Sequence, residues 1–170
     1  MIIFLTGGAR SGKSTFALKL ADGLGTKTAF LATGQAHDAE MERRIALHKK
    51  VRPRHWITIE EPLHISHALE TMNPKIQVII IDCLTLLISN LLLAGKSEKL
   101  IIKEIKSSLK IMKKSDFTTI IVSNEVGCGI VPENKLARDF RDIAGAVNQL
   151  AAQASDKAYT LISGFPVQLK

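Results

Sequence analysis

Eight residues near the start of the chain have the types and spacing to hold phosphate. Gly7-Gly8-Ala9-Arg10-Ser11-Gly12-Lys13-Ser14 satisfies the pattern G-x-x-x-x-G-K-[ST]. Glycines let the backbone turn tightly and bring several N–H groups onto phosphate oxygens. A helix starting beside Gly12 aims the positive end of its dipole at the same oxygens. Lys13 neutralises charge on the β- and γ-phosphates, and the Ser14 hydroxyl holds Mg²⁺. This chemistry is nucleoside triphosphate binding, and the loop alone does not say what is done with the nucleotide.

A second chemical position is Asp82. It ends the continuous β-branched run 77–81, the form of a Walker-B strand. A carboxylate at the end of a buried strand is costly unless it is used, so Asp82 is expected to bind Mg²⁺ directly or through water. Thr33 and Gly34 end another apolar run, where the crevice of a parallel sheet lies. Residues 49–56 form a basic loop with Lys49, Lys50, Arg52 and Arg54, and 124–132 form a polar, glycine-bearing loop. His48 shares a helical face with Met41 and Ile45, which by itself is the placement of a core or interface histidine. His37, His55, His64 and His67 carry no more specific pattern. Glu125 reads equally as a turn or cap residue and as a substrate contact.

These groups need elements to position them. The apolar patterning predicts strands over 2–5, 28–32, 77–81, 118–123 and 158–163, with a shorter extended piece over 58–61. Helices are predicted over 13–24 (Phe16, Leu20 and Leu24 on one face, Gly25 as stop), 39–50 (capped by Asp38), 62–72, 84–93, 96–114 and 134–152, and residues 164–170 read as a tail. Strands alternating with helices give an α/β domain with a mostly parallel sheet and helices on both faces.

The 170 residues suit one nucleotide-binding domain over 1–170. With 46% hydrophobic and 23% charged residues a packed core is expected, and wholesale disorder is not. The net charge of +7 fits a protein that holds polyphosphates; nucleic acid is not an expected partner, because no binding motif for it is present. Much of the excess charge falls on the lysines of 96–114, read as a solvated helix face. The apolar stretch 78–94 contains Asp82 and Asn90 and is short for a membrane span, so no membrane insertion is expected. No secretion signal is read at Met1, and a cytoplasmic location is expected. Cys83 and Cys128 have no C-x-x-C or metal spacing and are expected to be buried, reduced thiols.

Residues alone leave open a kinase of some small molecule or a nucleotide-dependent binding module. A resemblance is more specific. Four blocks carry it: the phosphate loop, Asp38-x-Glu40-Met41-x-x-Arg44-Ile45-x-x-His48, Asn124-Glu-Val-Gly-x-Gly-Ile-Val-Pro132, and Arg138-x-Phe-Arg-Asp142-x-x-Gly145-x-x-Asn148-Gln149. In this order and spacing the chain resembles the bifunctional adenosylcobinamide kinase / adenosylcobinamide-phosphate guanylyltransferase family of cobalamin biosynthesis, over essentially its whole length. The resemblance implies a P-loop NTPase fold of the RecA-like kind. It implies ATP or GTP as phosphoryl donor to the aminopropanol hydroxyl of adenosylcobinamide, then GMP transfer from GTP through a GMP-histidine. His48 would be that histidine, with Lys13 as the second catalytic residue. The implied nucleotide contacts are Gly7 to Ser14, then Ala32, Thr33 and Gly34, then Lys49, Lys50, Val51 and Arg52, then Glu60 or Glu61, and Asp82. Ser14 and Asp82 would hold Mg²⁺. Where some relatives have a second histidine, this chain has Leu47. A nucleophile on a helix distant from the loop in sequence also raises the expectation of a homo-oligomer.

Overall fold

The computed structural model describes residues 1–36 and 38–170, so His37 lies outside the described residues. Seven strands form one sheet in the order β3-β2-β4-β5-β1-β6-β7, with β1 Ile2–Gly7, β2 Thr28–Ala32, β3 Ile57–Glu60, β4 Val78–Asp82, β5 Thr118–Val122, β6 Lys157–Ile162 and β7 Phe165–Gln168. The first six strands run parallel, and β7 pairs antiparallel with β6. The helices are α1 Lys13–Leu24, α2 Ala39–Lys50, α3 Ile65–Glu70, α4 Leu84–Leu93, α5 Glu98–Lys114 and α6 Lys135–Ala154.

The central strands read as unbroken apolar runs because both faces are covered. Along β4, Val78 and Ile80 face one core, with Ile3, Leu5 and Phe30 and with Ala17 and Ala21 of α1. Ile79 and Ile81 face the other, with Leu87, Ile88, Ile101, Ile105, Ile143 and Val147 from α4, α5 and α6. Each of these fully buried isoleucines contributes about 1.5–3 kcal/mol relative to exposure. On α5 the predicted lysine face is in solvent while Ile101, Ile105, Leu109 and Met112 are buried. Leu100 alone of the predicted apolar face is exposed.

Several expectations need correction. The tail is a strand: Ser163 and Gly164 both adopt positive φ, 51° and 90°, and form the two-residue turn that lets β7 fold back on β6. On α1 the buried residues are Lys13, Ala17 and Ala21 rather than Phe16, Leu20 and Leu24. Small side chains let the helix lie close to the sheet, and the larger ones splay to its margins. Helix α3 is shorter than expected because Glu61 turns the chain, accepting from the N–H of Leu63 at 3.0 Å and of His64 at 2.8 Å. Cys83 is buried, but Cys128 is exposed on the β5–α6 loop. A side chain at Gly145 would meet nothing within 4 Å, so this glycine does not serve close helix packing.

Candidate active site

The parallel strands bring their carboxyl ends to one edge. There β1 delivers the phosphate loop, β2 delivers Thr33, β3 ends at Glu60, β4 ends at Asp82, and Asn124 and Glu125 follow β5. Because β5 lies between β4 and β1, the loop after it is flanked by Asp82 on one side and the phosphate loop on the other.

Gly7 has φ of +142°, and a Cβ there would sit 2.5 Å from the Leu161 carbonyl oxygen and 2.9 Å from Ser11 Oγ. Both the φ and the collision demand glycine. The turn between β6 and β7 supports the loop from below, where Gly164 N–H donates to Ser11 O at 3.0 Å. Gly7→Ala is therefore expected to destabilise the protein by about 3 kcal/mol or more. At roughly 2–4 °C per kcal/mol for a chain of this size, a thermal melt would register a fall of about 6–12 °C. Gly8→Ala enters open space and should stay within about 0.5 kcal/mol of the parent. Equal melts for the two variants would contradict this account.

Lys13 is buried. Its ammonium donates to Gly7 O at 3.0 Å, Gly8 O at 2.6 Å and Ser11 Oγ at 3.3 Å. Burial pushes its pKa down, against the pull of Cys83 and Asp82. The Ser14 hydroxyl donates to Asp82 Oδ2 at 2.9 Å. Burial pushes the Asp82 carboxyl up, opposed by that hydrogen bond and by positive charge on His48, Arg52 and Lys13. His48 lies at the exposed end of α2, next to Lys49, whose pairing with Glu60 brings that end of the helix to the end of β3 within one chain. No residue of α2 is buried among the described residues. The helix begins on Asp38, which accepts from Met41 N–H at 2.7 Å, and it carries His48 over the strand ends without being locked into the core. The shared face with Met41 and Ile45 is therefore not a core face.

Arg52 lies with its guanidinium carbon 3.7 Å from the centre of the Phe30 ring. Its Nε and Nη1 are buried with no hydrogen-bond partner among the described residues. Buried guanidinium N–H groups without partners are costly, and a phosphate oxygen would satisfy them. Burial lowers the Arg52 pKa, while Asp82 and Glu60 raise it. Glu60 also pairs with Lys49. Glu61 is engaged in capping, so Glu60 is the acid of the two that faces this cluster. Ala32, buried, accepts from Glu61 N–H at 3.0 Å, and Gly34 stands beside Ile45 and Leu86. Lys50 and Val51 are exposed, and Arg10 in the loop has φ of 56°.

A polar belt not anticipated from the sequence links these pieces. Thr33 Oγ1 donates to Cys83 O at 2.7 Å and accepts from Cys83 N–H at 2.8 Å. The Asn90 amide donates to Thr33 O at 2.7 Å and Pro62 O at 3.1 Å. Asn124 donates to Thr85 Oγ1 at 3.1 Å, and Asn148 donates to Asn124 O at 3.1 Å. Asn90 had a legible signal, a lone amide in an otherwise apolar helix; the partners did not. The Cys83 thiol is pushed up to about 11 by burial, so it stays protonated and is no rival nucleophile. Among the described residues there is no cluster of three or more His, Cys, Asp or Glu able to hold a metal. The Ser14 hydroxyl and the Asp82 carboxylate are instead two adjacent oxygen donors of the kind that Mg²⁺ prefers. Among the described residues no helix is long and apolar enough to cross a membrane.

The comparisons agree on fold and family. Over 94% of its length this chain superimposes on the RadB recombinase (TM-score 0.52, 14% identity, 73% of that chain). The same share superimposes on a KaiC-like protein of Pyrococcus horikoshii OT3 (TM-score 0.54, 16% identity, 69% of that chain). These similarities place the sheet and loop in the RecA-like P-loop NTPase fold. In sequence, the chain is 39% identical to the bifunctional adenosylcobalamin biosynthesis protein CobU of Escherichia coli (strain K12), covering 100% of both chains. It is 40% identical to the bifunctional adenosylcobalamin biosynthesis protein CobP of Pseudomonas aeruginosa, covering 98% of this chain and 95% of that one. With residues 3–169 matching its family description, the chain belongs to the cobinamide kinase / cobinamide phosphate guanyltransferase family.

Proposed function

We propose that the chain phosphorylates adenosylcobinamide with ATP or GTP and then transfers GMP from GTP to the product, giving adenosylcobinamide-GDP and pyrophosphate. The observation that carries this reading is the meeting, at one sheet edge, of a phosphate loop, the Ser14–Asp82 pair, an unsatisfied Arg52 and an exposed His48.

In the phosphoryl step the loop N–H groups and Lys13 hold the triphosphate and offset its charge. Lys13 must exchange the carbonyls of Gly7 and Gly8 for phosphate oxygens, a swap among acceptors close at hand. Mg²⁺, held by Ser14 and Asp82, would supply Lewis-acid stabilisation of the phosphoryl charge. In the guanylyl step an imidazole nitrogen of His48 bonds to the α-phosphorus of GTP while the bond to pyrophosphate breaks. The phosphate oxygen of the first product then displaces the imidazole. Splitting the transfer in this way is covalent catalysis. Arg52, Lys49 and Lys50 steady the departing pyrophosphate in this reading, which the unsatisfied buried guanidinium of Arg52 supports. The reading includes one nucleotide-binding domain over 1–170, a cytoplasmic location and a homo-oligomer. Exposed Leu47, Val51, Ile130 and Val131 support the last.

Two labels test the proposal. The protein with α-labelled GTP and Mg²⁺ should retain an acid-labile label that adenosylcobinamide phosphate discharges. With γ-labelled ATP it should label adenosylcobinamide itself. A protein that neither becomes labelled nor labels the corrinoid would end this reading.

A further inference from the structure

The phosphoryl step needs a group to take the proton of the attacking hydroxyl, and the acids at the strand ends are mostly committed. Asp38 caps α2, Glu60 pairs with Lys49, Glu61 caps the turn before α3, and Asp82 holds Ser14. Glu125 is the exception. Its backbone N–H donates to Gly7 O at 2.9 Å, which ties it to the phosphate loop. Its Oε1 accepts from Gly127 N–H at 3.2 Å, while Oε2 has only the Asn148 amide at 3.5 Å and is otherwise open to solvent. Asn148 is itself buried on α6, anchored by its bond to Asn124 O at 3.1 Å. Its Oδ1 has no partner among the described residues.

The placement follows from topology. Strand β5 lies between β1, which carries the loop, and β4, which carries Asp82. A carboxylate just past its end therefore stands beside the phosphate cradle. The same loop continues into Gly127, Gly129 and Val131, which wall a groove of about 830 Å³ shared with α5 and α6.

We propose that Glu125 is the catalytic carboxylate that orients and deprotonates the acceptor hydroxyl in phosphoryl transfer, with Asn148 as its positioning residue. This rests on the reading under Proposed function. The acceptor oxygen forms a bond to the γ-phosphorus as the bond from that phosphorus to the bridging oxygen breaks. The electron pair leaves with the nucleoside diphosphate, and the hydroxyl proton passes to Glu125, which returns it to solvent after product release.

The test is phosphoryl transfer from γ-labelled ATP to adenosylcobinamide. Glu125→Gln should lower kcat about a hundredfold with the nucleotide KM within about threefold of the parent. Glu125→Ala should be partly restored by added formate, which a merely structural role would not allow. Asn148→Ala should lower kcat about tenfold in the parent and hardly at all in Glu125→Gln, the non-additivity of residues acting as one unit. A Glu125→Gln kcat within about threefold of the parent overturns the assignment. So does a loss carried by nucleotide KM and untouched by formate in Glu125→Ala. Wild-type protein that transfers no label overturns the reading beneath it, and the assignment with it; transfer that survives Glu125→Gln overturns the assignment alone.

Discussion

His48→Ala protein is expected to lose GMP transfer by at least about 10⁴-fold, the scale on which removing a nucleophile acts, and to retain no label from α-labelled GTP. Phosphorylation of adenosylcobinamide should fall by less than about tenfold, because that step is positioning and charge neutralisation at the phosphate loop. The asymmetry follows from the structure. His48 sits on a helix with no buried residue, so truncating it removes a reacting atom without opening a cavity. Its influence on Asp82 is one of several and secondary to burial, so the loop and its acid keep their arrangement. The measurement is a pair of label assays on one preparation, with a thermal melt that should not move by more than a degree or two. Label that persists on the variant would remove His48 from the role, and parallel loss of both activities would show that the ring serves the loop instead.

Asp82→Asn should separate activity from stability. Both transfers should fall by about 10³-fold, the upper range for deleting one preorganised electrostatic contact. The protein itself should become more stable near neutral pH. Burial holds the Asp82 carboxyl above its ordinary value of 3.8, so the folded state binds this proton more tightly than the unfolded state does. The stability contributed by the protonated form is complete below about 3.8 and is lost as pH rises through the folded value. Above that, the ionised group is a standing cost that Asn, still able to accept from Ser14, does not carry. Melts of parent and variant should differ most near neutral pH and converge toward about pH 4. Adding GTP with Mg²⁺ should stabilise the parent more than the variant. A variant that melts below the parent at neutral pH would show that Lys13 and Arg52, themselves strained by burial, depend on the carboxylate more than it costs. Such an exchange of stability for a charged site is a common bargain in active sites.

What the linear chain determined was everything that depends on local pattern. Gly7 to Ser14 could be read because tight turns, phosphate N–H groups and a helix start impose residue types at fixed spacing. The run ending in Asp82 could be read because a strand covered on both faces has no polar alternation. Four blocks in register gave the family. What only the folded chain decided was which of the separated pieces meet. The amphipathic pattern of 39–50 does not say that α2 stays off the core, and so that His48 is available to the strand ends. Nor does it say that Glu61 is used up in a cap while Glu60 faces Lys49 and Arg52, since two adjacent acids have the same local chemistry and differ only in what stands opposite. Residues 164–170 read locally as a tail because β7 gains its meaning from pairing with β6 and from the turn at Gly164 backing Ser11. The partners of Asn90, Asn124 and Asn148 are hidden for the same reason: an amide does not show what it will bond until the packing of other elements brings that group within hydrogen-bond reach.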